Sequence, residues 1–287
     1  MAGAGQNGMA DGGGEGGDGD RWANVGGGER ANQAAEKLAK LANSGAETAA
    51  RARYLDLFAP KSGEIIIDVG AGSGVITAEI AQRVAPGGRI FAVDPSAPLL
   101  DAARDTARAA GVGHLVDCRV ADGRELPFGL SAFDAAFCHW VLLHVETPEK
   151  IVAEMRRVTR RGGRVMVVEA DWETAMVYPA DRLVTRRILN HAADRNLDPW
   201  MGRRLPSLFA GQGFSEIVVE PVVAVDRGGE DRAWLEYLFE RAALAVAAGI
   251  VQRDEAVAWM AKLDAGFKAH DFFFAVTQFA VLGRVPG

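Results

Sequence analysis

From residue 59 to residue 170 the chain alternates short, nearly unbroken apolar runs with stretches of helical periodicity. EIIIDV, RIFAVD, HLVDCRV, FDAAFC and RVMVVEA read as five strands. Strands apolar on both faces and separated by helices predict a parallel sheet covered on both sides, an α/β fold of the doubly wound kind. The helices carry their own boundary signals. Ser96 stands before APLLDAARDTARAAG, which ends at Gly111, and Thr147-Pro148-Glu149 opens a helix predicted to end at Gly162-Gly163.

After Ala170 the regularity loosens. Helical stretches at 180–195 and 203–211 are followed by a strand, SEIVVEPVVAV, by two helical stretches between Glu230 and about Gly266, and by a final strand, DFFFAVTQFAVLGRV. Two insertions, about 175–212 and 230–266, are expected to form a helical lid over the carboxyl ends of the strands, where open sheets place ligands. Upstream, residues 31–58 favour helix in two pieces broken by Asn43-Ser44-Gly45, an N-terminal cover. Residues 1–30, rich in glycine and acids, are expected to form a disordered tail, since ordering them costs more entropy than their burial returns.

Composition narrows the partners. The 287 residues, 49% hydrophobic, suffice for a sizeable core, and a formal charge of -6 argues against binding polyanions through the overall field, so no nucleic-acid partner is expected. No apolar run approaches a membrane span and no export signature opens the chain, which gives expectations of no membrane partner and a cytoplasmic location. Cys118 and Cys138 fall inside apolar runs at a spacing that fits no zinc pattern, and no metal is expected.

The chemistry concentrates in IIIDVGAGSGV, residues 65–75. A dinucleotide fingerprint would put a third glycine where Val75 stands, and a Walker loop would need Lys-Ser/Thr, which is absent. Residues 68–74, DVGAGSG, match the D-x-G-x-G-x-G motif of the class I S-adenosylmethionine-dependent methyltransferases. The resemblance runs in order through FAVDPS, VADGRELPF, FDAAFCHWVLLHV and VTRRGGRVMVVE, over roughly residues 50–170. The chain looks most like the ubiquinone/menaquinone C-methyltransferase-like and natural-product branch. That resemblance implies a Rossmann-like sheet of seven mostly parallel strands with an antiparallel last strand.

It also implies S-adenosylmethionine as methyl donor, S-adenosylhomocysteine as product, and a donor site built from Asp68, Gly70, Ala71, Gly72, Asp94, Pro95, Leu99, Ala121, Asp122, Gly123, His139 and Trp140. In it Asp94 would accept both ribose hydroxyls, Asp122 would face the adenine amino group, and Asp68 would face the ammonium. Blander readings stay open: Asp94 starting a turn, Asp122-Gly123 as an ordinary turn pair, and Gly74 serving only helix packing.

Methyl transfer from a sulfonium is an in-line displacement that gains from alignment, exclusion of water and a nucleophile in its reactive protonation state. Candidate catalytic bases are His139, His144 and Glu169; alternatively His139 and Trp140 simply wall the donor pocket. Tyr178, His191, Trp200, Arg203 and Phe274 are candidate acceptor contacts. The expected activity is methylation of an oxygen or carbon nucleophile of a small, apolar or aromatic metabolite by a monomer or homodimer. The competing readings are an enzyme that uses the bound donor in a rearrangement or cyclisation, a nucleic-acid or protein methyltransferase, and a non-catalytic binding module. The acidic balance and CHWV in place of an Asn-Pro-Pro-Tyr motif stand against a nucleic-acid substrate.

Overall fold

The computed structural model describes residues 29–229 and 231–287, with side chains from residue 32. Nearly all of the expected tail, 1–30, lies outside the described residues, as does Glu230 at the edge of the second insertion. Two helices come first, α1 (Glu29–Ala42) and α2 (Gly45–Phe58), separated where Ser44 caps α2 by accepting from Glu47 N.

The sheet then builds from β1 (Ile65–Val69), β2 (Arg89–Asp94), β3 (Val116–Val120), β4 (Phe133–His139), β5 (Thr159–Tyr178), β6 (Ser215–Asp226) and β7 (Phe273–Arg284). Between them lie α3 (Val75–Val84), α4 (Ala97–Ala109), α5 (Pro148–Val158), α6 (Arg182–Asp194), α7 (Met201–Gly211), α8 (Ala233–Ala247) and α9 (Arg253–Lys268).

The seven strands lie in the order β3-β2-β1-β4-β5-β7-β6. The first five run parallel, and β7 is antiparallel to both β5 and β6. The chain winds outward from β1 through β2 to β3 and then restarts at β4 on the other side. The crevice at the carboxyl ends of β1 and β4 is therefore the topological switch point where such sheets bind ligands.

One face is covered by α2 and α3. Tyr54, Leu55 and Phe58 of α2 and Ile80 and Val84 of α3 pack on Ile66, Phe137, Val168 and Ala280, all nearly inaccessible. Each large apolar side chain so buried contributes about 1.5–3 kcal/mol. The other face carries α5 and α7, with Val152, Met155, Leu205 and Phe209 on Ile67, Ala136, Val165 and Val167.

Two boundaries differ from expectation. The helix predicted to end at Gly162-Gly163 stops at Val158, because Thr159 already pairs with Phe133 and the strand runs on through the glycines for 20 residues. Its far half persists because β7 pairs with it antiparallel out to Tyr178–Phe273. The insertion 175–212 also divides. Residues up to Tyr178 continue β5, and α7 packs on β5, β6 and β7 as a sheet-covering helix, not as lid; α6 packs both on β5 and against α8 and α9.

Candidate active site

The carboxyl end of β1 delivers Asp68 and then the turn Gly70 to Gly74, where all three glycines have positive φ, 78°, 53° and 77°. That backbone path disfavours any side chain. The turn is tied to β2, since Gly70 N and Ala71 N both donate to Val93 O at 2.8 and 3.0 Å. The glycines do different work. A Cβ on Gly74 would press on the Ala103 backbone at 2.6 Å, so this glycine lets α3 and α4 pack closely. A Cβ on Gly72 would meet only Leu38 of α1, at 3.7 Å, and one on Gly70 would run into the side chain of Val141. The space over Gly70 and Gly72 is thus bounded by side chains from two other elements, the loop after β4 and helix α1.

Two buried carboxylates bracket the turn. Asp94, at the end of β2, accepts from Gly72 N at 3.0 Å and Ser96 N at 2.9 Å. Burial raises its pKa. Each carboxylate oxygen retains a further lone pair, so the two backbone bonds fix the group while leaving acceptor capacity for a diol. Asp68 accepts from Thr77 Oγ1 at 2.5 Å, and burial, together with the charge of Asp94, pushes it up to about 6. A cation seated on the turn would find both acids beneath it. Leu99 is buried in the first turn of α4, behind exposed Pro95.

The remaining expected donor residues follow β3. Ala121 N donates to Asp94 O, and Gly123 lies where a Cβ would touch Val69 at 2.9 Å. Asp122, expected to face the adenine amino group, has a half-exposed carboxylate paired with Arg124 at 2.6 Å, which keeps its pKa low.

The end of β4 makes the sharpest corner of the site. Trp140 has φ 55°, a left-handed conformation that is costly for a bulky residue. Its N–H donates to Val168 O, and the next two, Val141 N and Leu142 N, donate to one oxygen of Glu169 at 2.9 and 2.6 Å. Glu169 is fully buried midway along β5, and burial pushes its pKa up to about 8. One oxygen of its carboxyl thus caps the turn Leu142–His144 and pins the corner, while the other is buried without a hydrogen-bond partner. His144, on that same turn, shares this structural setting.

His139 stacks on Trp140 (centroids 5.1 Å, 11°) and lies 5.6 Å from Tyr54. Burial foremost, then Arg51, pulls its pKa down to about 3. It is a neutral imidazole and a weak base, so the structure supports the walling role over the catalytic one. The amide of Gln278 opposes that shift, and its Nε2 donates to both oxygens of Glu47 at 2.9 Å. Burial raises Glu47 to about 7. Glu47, Tyr54 and Gln278 had no sequence signal as site residues, because nothing in the local pattern around them shows that α2 covers the end of β4.

Beyond Trp140 the aromatic side chains converge. Trp140, Trp172 and Trp234 stand 5.8, 6.1 and 6.4 Å apart in pairs, Trp172 stacks on Tyr237 at 5.5 Å, and Phe274 lies 4.5 Å from Trp234. Of the expected acceptor contacts, Phe274 therefore belongs to this cluster. His191 on α6 faces the lid interior, its pKa lowered by burial and by Arg195.

The other three do not converge here. Tyr178 is exposed at the far end of β5. Trp200 lies under the Arg203 guanidinium at 5.2 Å, and Arg203 is itself engaged by buried Asp171 through two hydrogen bonds, one of 2.7 Å, and by Glu173 at 3.5 Å. These groups close on one another. Among the described residues no cluster of His, Cys, Asp and Glu could hold a metal ion, and no helix is long and apolar enough to cross a membrane.

Comparison with known proteins points to the same segment. Residues 67–167, from inside β1 to inside β5, match the methyltransferase domain family. An uncharacterized 37.1 kDa protein in a transposon of Streptomyces fradiae is 30% identical over 248 residues, which cover 86% of this chain and 70% of that protein. A ubiquinone/menaquinone biosynthesis C-methyltransferase of Bordetella parapertussis is 28% identical over 147 residues, covering 51% of this chain and 53% of the relative, so the chain spans about half of its length. Among solved structures, the (4+2)-cyclase SpnF superposes with a TM-score of 0.50 at 25% identity, over 82% of this chain and 81% of that one. The glycine turn, the two acids that bracket it and the β4 corner thus lie within, or directly beside, the stretch shared with these relatives, and the chain belongs to the class I S-adenosylmethionine-dependent methyltransferases.

Proposed function

We propose that the protein transfers the methyl group of S-adenosylmethionine to an oxygen or carbon nucleophile of a small, largely apolar aromatic metabolite. One observation carries the reading: the β4 corner at His139, Trp140 and Val141 has the acid-bracketed glycine turn on one side and the aromatic cluster on the other. A donor on the turn and an acceptor among the rings would meet there. Bound S-adenosylmethionine supplies an electrophilic methyl on a positively charged sulfur.

The protein's residues would do the rest. Gly70 and Gly72 admit the donor's backbone-hugging portion, Asp94 holds its ribose, and Asp68 balances its positive charge from below. Trp140, held by Val168 O and by the turn that Glu169 pins just after it, aligns the acceptor and excludes water, which is the main lever for a charge-dispersing displacement. The test is incubation with donor carrying a deuterated methyl and a panel of phenolic and enolic aromatics, read by mass spectrometry. Product bearing the labelled methyl supports the reading. No labelled product from any acceptor, with the donor bound, counts against it.

A second reading has a specific observation behind it. His139 is held neutral with a pKa of about 3 and one oxygen of Glu169 is taken by backbone amides, so the imidazole at the reaction corner is no strong base. An enzyme that shapes a reactive acceptor into a rearranged or cyclised product, with the donor as a fixed element, needs none, and the similarity to the cyclase SpnF supports keeping it. A product isomeric with the acceptor and formed only in the donor's presence would establish it.

A further inference from the structure

The aromatic cluster carries more information than its shape. Trp140, Trp172 and Trp234 each bury an indole Nε1, and none of the three has a hydrogen-bond partner in the protein. Trp234 and Trp172 are 0% and 7% exposed, so solvent does not substitute for a partner. Buried polar groups are nearly always satisfied, and an indole N–H, which can only donate, normally finds an acceptor when it is taken out of water. Three such donors on mutually contacting rings, beside the corner that borders the donor turn, are not explained by packing. Phenylalanine would fill an apolar core without that cost.

We infer that these three indoles form the acceptor-recognition surface, and that their N–H groups select a flat aromatic acceptor bearing carbonyl or ether oxygens over an equally flat hydrocarbon. The inference rests on the methyltransferase reading and deepens it, from an apolar aromatic acceptor to an oxygenated one held through its lone pairs. The walls present donors, so the ligand must present acceptors. A cationic acceptor caged by the rings is disfavoured, because the Arg241 guanidinium already lies 4.7 Å over the Tyr237 ring that lines the same cluster. The rings pack on one another in the described state, and Trp234 and Tyr237 both ride on α8. Displacement of that helix is therefore the way in.

Trp→Phe removes the N–H and keeps an aromatic wall, which separates the hydrogen bond from packing. The full-length protein, saturated with S-adenosylhomocysteine, is titrated calorimetrically with the β isomers of acetylnaphthalene and ethylnaphthalene, a pair matched in shape and differing in one carbonyl oxygen. The protein should bind the ketone about 3- to 10-fold more tightly than the hydrocarbon, as one hydrogen bond allows. At least one of Trp140→Phe, Trp172→Phe and Trp234→Phe should abolish that preference while leaving the hydrocarbon's affinity within about 2-fold.

Thermal melts with S-adenosylhomocysteine identify any variant that fails to fold, and the remaining variants and the unmutated protein still decide. Equal binding of the two probes, binding of neither, or a preference that survives in every folded variant overturns the inference while leaving the donor site intact. Failure of S-adenosylhomocysteine itself to bind overturns the methyltransferase reading and this one with it.

Discussion

Removing the carboxyl of Glu169 tests the mechanics of the β4 corner. Its one oxygen accepts from Val141 N and Leu142 N, both in a buried or half-buried turn, while Trp140 just before them holds a left-handed backbone. Glu169→Ala leaves two amides without a partner, at about 1–3 kcal/mol each. If the corner then relaxes, the strain stored at Trp140, about 1–3 kcal/mol, is returned. The net loss is about 1–3 kcal/mol, or roughly 3–12 °C in melting temperature for a domain of this size. Because the same relaxation frees Val141 from its position over Gly70, donor affinity should fall too. Glu169→Gln keeps the accepting oxygen and should retain most of the stability and the donor binding. Thermal melts by circular dichroism and calorimetric titration with S-adenosylhomocysteine read both quantities. If Glu169→Ala melts within about 2 °C of the unmutated protein, where about 1 kcal/mol or less is at stake, the pin does not exist. If Glu169→Gln folds and binds donor yet loses turnover entirely, the carboxyl is chemical and not structural.

Two further outcomes follow from the same geometry. Gly74→Ala must push against the Ala103 backbone and should cost about 2–4 kcal/mol of stability, whereas Gly72→Ala meets only Leu38, should cost about 1 kcal/mol in backbone strain, and should lose donor affinity disproportionately; equal effects of the two on melting would contradict the division of labour. The pH dependence of stability should also carry an unusual sign. Asp68, Glu47 and Glu169 have folded pKa values raised to about 6, 7 and 8, so the folded state holds protons that the unfolded state releases near pH 4–5. Their stabilisation is complete below about pH 4 and is lost as pH rises through those folded values, so between about pH 5 and pH 8.5 the melting temperature of the ligand-free protein should fall as pH rises. A melting temperature that climbs across that window would show that these acids are not buried as described.

Much of the core was legible because its signals are local. β1, β2 and β4 announce themselves as apolar runs that lead to Asp68, Asp94 and His139, and a turn with three glycines in five residues leaves few backbone paths. Ser96 was readable as a cap because capping is settled within one turn of chain. What stayed hidden depends on distant partners. The length of β5 is set by β7, more than a hundred residues later, so the glycines inside it read as a helix stop. Glu169 reads only as a candidate base, because the strained corner that one of its oxygens pins is not visible in the sequence. Arg203 reads as an acceptor clamp until Asp171, on another element, is found holding it. Trp172 draws no notice in the sequence, because its meaning lies in Trp140 and Trp234, brought beside it from β4 and α8.

The central claim is that the turn from Asp68 to Gly74, with Asp94, holds the methyl donor. Calorimetric titration with S-adenosylhomocysteine, run beside NAD and repeated on Asp94→Ala, tests it most directly. The account predicts saturable binding of S-adenosylhomocysteine, none of NAD, and a loss of at least about 100-fold in the variant, the worth of two charge-assisted hydrogen bonds to a ribose diol. Binding of NAD in its place, or an Asp94→Ala variant that folds and binds S-adenosylhomocysteine as tightly as the unmutated protein, would contradict it.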